Sequence, residues 1–331
     1  MPSFSFIIPV YNRSEELEEL LFTLSKQTFR EFEVVIVEDG SQQPCNLVID
    51  KYTNELQITY LQQENQGPGP ARNTGATAAK GRWLIFVDSD CLLPENYLEI
   101  VNESVDSEDF DCFGGPDKPH PNFNTIQKAI GYAMSSVLTT GGIRGAKEKL
   151  DIFYPRSYNL GVRQSVFKAM GGFSDMRFGE DLDFSMRLLK KGYSTRLIKE
   201  AFVFHKRRNN FRSFFKQVYN SGIARINLEI RHKGTLKPVH TIPSLFVGGH
   251  LFIILLAIFG SPWYLLLFLV VPITVMSHAM KETGEIRTSV WAIAAAYTQT
   301  FGYGLGFIEG LIVRKILGKK EFHAFRSNFY K

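Results

Sequence analysis

Arg82-Trp83-Leu84-Ile85-Phe86-Val87-Asp88-Ser89-Asp90 runs from a charge, through an apolar core, into two carboxylates. Residues 84–87 are apolar without interruption and follow Gly81, which predicts a buried strand. A charge is costly inside such a strand but tolerated just past its C-terminal end. In open α/β sheets that end is where ligands bind. If strand geometry carries through, Asp88 and Asp90 point the same way. Two clustered carboxylates repel each other unless a cation lies between them, and hard divalent ions favour oxygen ligands. The pair therefore reads as a Mg2+ or Mn2+ site holding a diphosphate. The competing reading is a polar turn that starts a helix at Pro94, with Asp90 as a local cap.

Working outward, residues 4–10 form an apolar strand ended by Pro9 and the polar Tyr11-Asn12. Leu17, Leu20, Leu21 and Leu24 recur at helical spacing across residues 15–27, with Ser14 as N-cap and acids in the first turn. Residues 33–37 read as a second strand ending in Glu38-Asp39-Gly40-Ser41, residues 44–54 as a helix and 56–61 as a third strand. Gly67-Pro68-Gly69-Pro70 opens a helix near Ala71, with Arg72 and Asn73 in its first turn and Gly75 allowing close backbone approach. After the central strand, Pro94 starts another helix with Glu95 near its N-terminus. This alternation predicts a doubly wound nucleotide-binding sheet. No G-x-G-x-x-G follows the first strand and there is no Walker A sequence, which argues against NAD enzymes and P-loop kinases.

Further on, residues 112–116 read as a short strand and turn, 123–140 as a helix, 158–162 as a strand and 166–170 as a helix stopped by Gly171-Gly172. Residues 141–155 are rich in Gly and Lys, which suits either a lid near a phosphate or a plain surface loop. In Phe178-Gly179-Glu180-Asp181-Leu182-Asp183, the acids fall in the first turn of a helix whose buried face is Leu182, Met186 and Leu189. Asp181 as a cap and Asp183 as a dipole partner explain those acids locally. A second acid cluster far from the first is also what a transfer enzyme needs, one for metal and leaving group and one for a base.

Composition sets the limits. The 331 residues are 44% hydrophobic and 13% aromatic, with net charge +5, enough for one large domain and an appendage. Cys45, Cys91 and Cys112 have no metal-binding spacing and suggest a reducing compartment. Residues 1–6 lack the pattern of a signal peptide.

The quoted runs, with Phe6-Ile7-Ile8-Pro9-Val10-Tyr11-Asn12, Leu24-Ser25-Lys26-Gln27-Thr28-Phe29, Val35-Ile36-Val37-Glu38-Asp39-Gly40-Ser41 and Gly69-Pro70-Ala71-Arg72-Asn73-Thr74-Gly75, resemble family 2 glycosyltransferases over residues 4 to about 205. The resemblance implies a GT-A fold, a Rossmann-like mixed sheet. It also implies inverting sugar transfer from a nucleotide diphosphate with a divalent cation, Mg2+ or Mn2+. By resemblance, Pro9, Tyr11 and Asp39 contact the donor's base and ribose, and Arg72, Asn73 and Glu180 contact the donor. Asp88 touches ribose and metal, Asp90 is the main metal ligand and Asp181 is the general base. His205 stands where some relatives bind metal or diphosphate, or is simply a polar residue leaving a strand. Glu38 replaces the usual Asp, and Gln-x-x-Arg-Trp is missing after His205, which favours transfer of one sugar per encounter. A UDP-sugar is favoured by family habit and a GDP-sugar stays open.

Residues 205–238 interleave basic and aromatic side chains, with Phe211, Phe215, Val218 and Gly222 at helical spacing. They read as an amphipathic helix on an anionic membrane face, and the apolar run that follows argues against nucleic acid. Arg207 and Arg208 are candidates for lipid phosphates or for the donor diphosphate. Runs at 245–259 and 262–279 are each near the about 20 residues a span needs. A third, at 290–313, either spans or breaks at Gly302, Gly304 and Gly306; three spans put the C-terminus outside, against its basic residues. The expected division is a catalytic domain at 1–208, an interface segment at 209–240 and a transmembrane region at 241–331. The expected location is the cytoplasmic membrane, multi-pass, with the catalytic domain in the cytoplasm and the oligomeric state open. The expected acceptor is a membrane lipid or lipid-linked glycan. Alternatives are a polyprenyl-phosphate sugar synthase and an inactive nucleotide-sugar-binding scaffold.

Overall fold

The computed structural model describes residues 2–120, 122–140, 153–206 and 208–325. The chain forms two compact units: Met1–His120 with Asp151–Lys206, and Pro121–Leu150 with Arg207–Lys331.

The first unit begins β1 (Phe4–Val10), α1 (Ser14–Ser25), β2 (Phe32–Asp39), α2 (Asn46–Asp50), β3 (Ile58–Gln63), α3 (Pro68–Ala78) and β4 (Trp83–Val87). It continues with β5 (Cys91–Leu92), α4 (Tyr97–Ser107), β6 (Cys112–Gly114) and β7 (Asp117–Lys118). After α5 (Thr125–Ser135) and α6 (Val137–Thr140), which lie in the second unit, come β8 (Asn159–Arg163), α7 (Gln164–Ala169), α8 (Glu180–Lys190), β9 (Thr195–Leu197) and β10 (Val203–His205).

The main sheet has the order β3-β2-β1-β4-β8-β6-β9. Its first four strands run parallel, β8 is antiparallel to both neighbours and β9 is parallel to β6. This is a mixed α/β sheet of GT-A type. Side chains alternate between its faces as the strand period demands. Phe6, Ile8, Val34, Ile36, Trp83 and Ile85 join one core with α1 and α4, while Ile7, Val35, Leu84 and Phe86 join a second with α7 and α8. Both faces are covered, so the strands read as continuous apolar runs. Gly75 brings α3 onto the sheet: a Cβ there would lie 2.6 Å from Ile7 Cγ2. The chain leaves β1 for β2 on one side and reaches β4 on the other, which opens a crevice at the strands' C-terminal ends.

Several boundaries differ from the sequence reading. Strand β1 does keep its expected span, Phe4–Val10, with Pro9 inside it where its missing N–H is not required. Arg13, not Ser14, stands at the N-cap of α1, with no side-chain cap bond. The helix expected over 44–54 is confined to α2, and α4 starts at Tyr97, leaving Glu95 outside to accept Thr28 N through its carbonyl at 2.9 Å. Residues 141–152 of the expected loop lie outside the described residues.

The second unit contains α5, α6, α9 (Phe211–Arg231), α10 (Ile242–Phe259), α11 (Val270–Thr283) and α12 (Ile286–Gly310), the last continued by a π-helical turn at Leu311–Ile316. Its membership corrects two expectations. The segment at 123–140 packs with this unit, where Ala129, Ile130, Ala133 and Met134 meet Phe214, Val218 and Ala295. The apolar face of α9 is covered by α12 and not left for lipid. Phe211 stacks on Trp291 at 5.7 Å, and a Cβ on Gly306 would lie 2.0 Å from Tyr219 O. The glycines at 302, 304 and 306 therefore do not break the third run; they let helices approach closely within an unbroken α12. Lys216 and Arg225, two of the basic residues within the 205–238 segment expected at the membrane face, are buried. Two helical segments, Pro238–Phe259 and Pro262–Thr283, are long and apolar enough to cross a membrane.

Candidate active site

Strand β4 stops at Val87, and Cys91 N donates to Asp88 O at 3.0 Å, so Asp88, Ser89 and Asp90 form a tight turn. The strand alternation thus ends before the two acids, and they take different partners. Asp88 accepts from Arg72 Nη2 at 2.6 Å. Asp90 pairs with Arg13 through Nη1 and lies 3.2 Å from His205 Nε2.

His205 reaches Asp90 because the small sheet β5-β10-β7 pairs it with Cys91. Its ring stacks on Tyr158 at 5.2 Å. Ligand atoms of Asp90, Cys91 and His205 lie within 4.8 Å of one another, the one such metal-capable group among the described residues. Burial, then the charges of Asp90 and Asp88, push the Cys91 thiol well above its ordinary range, and its sulfur donates to Tyr158 O at 3.6 Å. A held thiol is a poor ligand, which leaves a carboxylate and an imidazole, a donor set that suits Mn2+ or Mg2+. Of the three residues expected at the metal, the fold brings Asp90 and His205 together and assigns Asp88 to Arg72.

Arg72 is buried, at 3% exposure, and bridges two distant parts of the chain. Its Nη1 donates to Glu180 Oε1 at 2.7 Å and its Nη2 to Asp88. Burial alone would lower its guanidinium pKa, but the two carboxylates outweigh burial and push it upward. The ring of Phe173 lies beneath it at 5.7 Å.

Glu180 and Asp181 open α8, and both are buried. Burial raises the Glu180 carboxyl above the usual carboxylate range, with Arg72 opposing and the Asp181 charge adding to it. Burial would raise Asp181 too, but Arg156 holds it below the usual range, helped by Arg72 and the Leu182 amide. Arg156 Nε donates to Asp181 Oδ2 at 2.6 Å, and Leu182 N to Oδ1 at 2.8 Å.

Other expected donor contacts have internal partners. Asp39 accepts from Gln63 Nε2 at 2.8 Å, Gln66 N at 2.9 Å and Gly67 N at 2.8 Å, which fixes the loop into α3. Asn73 exchanges two bonds with the Phe173 backbone, each 2.9 Å. Glu38 accepts from Ser41 Oγ and from Cys45 N at 2.9 Å. Pro9 lies in β1 opposite Val37, and Tyr11 follows the end of that strand. Arg207 lies outside the described residues, and Arg208 belongs to the second unit. Sequence reading missed Arg13 and Arg156. Arg13 directly follows a quoted run, a signal that was available; Arg156 has no local signal, because its partner lies 25 residues away.

The model of the family described as glycosyl transferase family 2 matches residues 5–171, half of the chain. The chain belongs to glycosyl transferase family 2. This glycosyltransferase is 26% identical over 295 residues to glycosyltransferase AglE of Haloferax volcanii, covering 87% of this chain and 88% of that one. It is 29% identical over 196 residues to an uncharacterised glycosyltransferase of Haemophilus influenzae, covering 56% of this chain and 62% of that one. Its fold matches the mannosyltransferase PcManGT of Pyrobaculum calidifontis, solved with GDP-Man and Mn2+, with a TM-score of 0.57 at 17% identity over 96% of this chain and 88% of that one.

Proposed function

We propose that this glycosyltransferase moves one sugar, with inversion, from a nucleotide diphosphate donor to a hydroxyl on a membrane lipid or lipid-linked glycan. One observation carries the reading: Arg72 ties Asp88, at the end of β4, to Glu180, beside Asp181 on α8. The acids suited to holding a donor and the acid suited to activating an acceptor thus belong to one site.

Asp90 and His205 would hold a divalent cation, Mg2+ or Mn2+, which when bound offsets charge on the departing nucleoside diphosphate. Arg72 and Asn73 fix the walls that receive the donor, and Asp39 fixes the loop into α3. Asp181 takes the acceptor's hydroxyl proton as that oxygen bonds to the anomeric carbon from the face opposite the donor phosphate. The bond from that carbon to the phosphate oxygen breaks, and its electron pair leaves with the nucleoside diphosphate. An α-linked donor then gives a β product with no covalent sugar intermediate. Alignment and fixed charge are the protein's contributions.

The donor is a UDP-sugar or a GDP-sugar; the GDP-Man bound by the Pyrobaculum enzyme supports keeping both. Two helices long and apolar enough to cross a membrane support an acceptor at a bilayer, and we place the chain in the cytoplasmic membrane as part of the same proposal. Three free, buried cysteines support a catalytic unit in the reducing cytoplasm.

The test is to purify the full chain with its native lipid and supply a panel of UDP- and GDP-sugars with Mn2+ or with chelator. Mass spectrometry of the lipid fraction should show one added hexose-type unit with one donor, and none with chelator. Equal turnover with chelator present would remove the metal from the reading. Transfer only to soluble acceptors would remove the lipid.

A further inference from the structure

Arg156 has one end engaged and one end open. Its Nε donates to Asp181 Oδ2 at 2.6 Å, while Nη1 and Nη2 make no hydrogen bond to any described residue. The side chain is 30% exposed, so those nitrogens meet solvent beside the acid that activates the acceptor. The backbone beneath is fixed. Asn159 N donates to Arg156 O at 2.9 Å, and Ser185 Oγ, from α8, donates to Pro155 O at 2.7 Å. The guanidinium is therefore held by its Nε edge on a rigid turn, with its remaining donors facing outward.

Asp181 is correspondingly crowded. Arg156 Nε and Ser157 N, at 3.4 Å, donate to Oδ2, and Leu182 N donates to Oδ1. A carboxylate offers about four lone-pair sites, so these three donors orient Asp181 and leave about one site for an incoming hydroxyl. A planar guanidinium fork matches a phosphate in two-point contact, whereas a neutral sugar gives it no such partner.

We propose that Arg156, held by Asp181 through Nε, uses its outward Nη1 and Nη2 to read a phosphate carried by the acceptor close to the hydroxyl that Asp181 deprotonates. The proposal rests on Asp181 being the base and adds the acceptor's chemical class. A hydroxyl compound joined to its carrier through phosphate fits it. The phosphate can belong to a lipid headgroup or to a soluble ester, and the test separates the two.

Full-chain wild type, Arg156→Gln and Arg156→Lys, in detergent, are titrated by calorimetry with farnesyl phosphate, farnesol and inorganic phosphate. Wild type should bind farnesyl phosphate. Arg156→Gln should weaken that binding about 10–100-fold, the size of a lost charged hydrogen bond. Arg156→Lys, which keeps the charge and loses the fork, should fall between. Farnesol should bind wild type and Arg156→Gln alike. Arg156-dependent binding that needs the tail assigns the phosphate to a lipid; equally strong binding of inorganic phosphate assigns it to a soluble ester. UDP and GDP affinities serve as the folding control, and Arg156→Lys carries the comparison if Arg156→Gln fails that control. Equal affinity of wild type and either folded variant for farnesyl phosphate, or no binding to wild type, overturns the proposal. Full turnover by Asp181→Asn with Arg156 still governing phosphate binding would remove the base and leave the receptor.

Discussion

The acid pair after β4 and the acid pair opening α8 are built alike but housed differently. In each, one member goes to Arg72: Asp88 from the first, Glu180 from the second. The other member goes to a separate arginine, Asp90 to Arg13 and Asp181 to Arg156, and Asp90 also lies beside His205. The inner members close on one buried arginine, while the outer members face opposite tasks. The inner acids should therefore matter first to folding and the outer acids to turnover. The housing differs as well: Asp88 keeps 30% of its side-chain surface exposed, whereas Glu180 keeps 8%. A partly wet carboxylate tolerates loss of its partner; a dry one does not.

The largest expected effect breaks the comparison at its outer end. Asp181→Asn keeps the shape of α8 and removes the proton acceptor. Turnover onto a hydroxyl acceptor should fall about 10³-fold, within the range of general-base catalysis. Nucleotide affinity, read by titration, should stay near wild type. Retained turnover would favour a phosphate nucleophile, which is already ionised and needs no base.

Arg72→Met attacks the shared centre. It leaves Asp88 and Glu180 without their common cation, and breaking such a buried pair costs about 3–5 kcal/mol. Thermal or urea unfolding measures it. A loss confined to turnover, with unchanged stability, would make Arg72 a donor contact and dissolve the division into inner and outer acids.

Asp90→Asn sharpens the metal side. Weakening the hold on a cation that offsets charge on the leaving group should cost about 10²-fold or more in turnover. The metal concentration for half-maximal activity should rise with it, and titrating Mn2+ at saturating donor measures both. Asp88→Asn should move that metal dependence less, because Asp88 is engaged with Arg72.

Much of this was legible beforehand, for a physical reason. Apolar runs and helical spacing are local, so Phe4–Val10 and Trp83–Val87 stood out as apolar runs and Glu180–Lys190 as a helix, and so did the acids that follow Val87 and open that helix. What was not legible is which cation each acid meets. Arg72 and Glu180 are 108 residues apart, and Arg13 and Asp90 are 77 apart, so no window of sequence contains either pair. The same limit explains α9. Its spacing showed that one face is apolar but not what covers it, and the glycines of α12, read as possible breaks, were the sign of a close-packed helix. Where Asp88 and Asp90 were expected to point together, the strand stops at Val87, before either acid.

The smallest effect separates Glu180 from Asp181 by pH. Burial raises Glu180, so the folded state keeps its proton at pH values where the unfolded chain has lost it. From the ordinary value of 4.5 up to the raised folded value, the native state binds more protons, and stability falls as pH rises through that window. Asp181 is lowered, so its contribution is present above the ordinary 3.8 and is lost only as pH falls through its depressed folded value. The two windows do not overlap. Of these two acids, only Glu180 should tilt stability in mildly acidic to neutral buffer, and Glu180→Gln should remove its share of the tilt. The melting temperature of wild type, relative to Glu180→Gln, should then drop by about 2–4 °C across the window, which corresponds to roughly 1 kcal/mol in a domain of this size. Parallel curves would mean that Arg72 keeps Glu180 ionised throughout. The inner acid of α8 would then be a plain ion-pair partner like Asp88, and the difference in housing between the two pairs would carry no titration consequence.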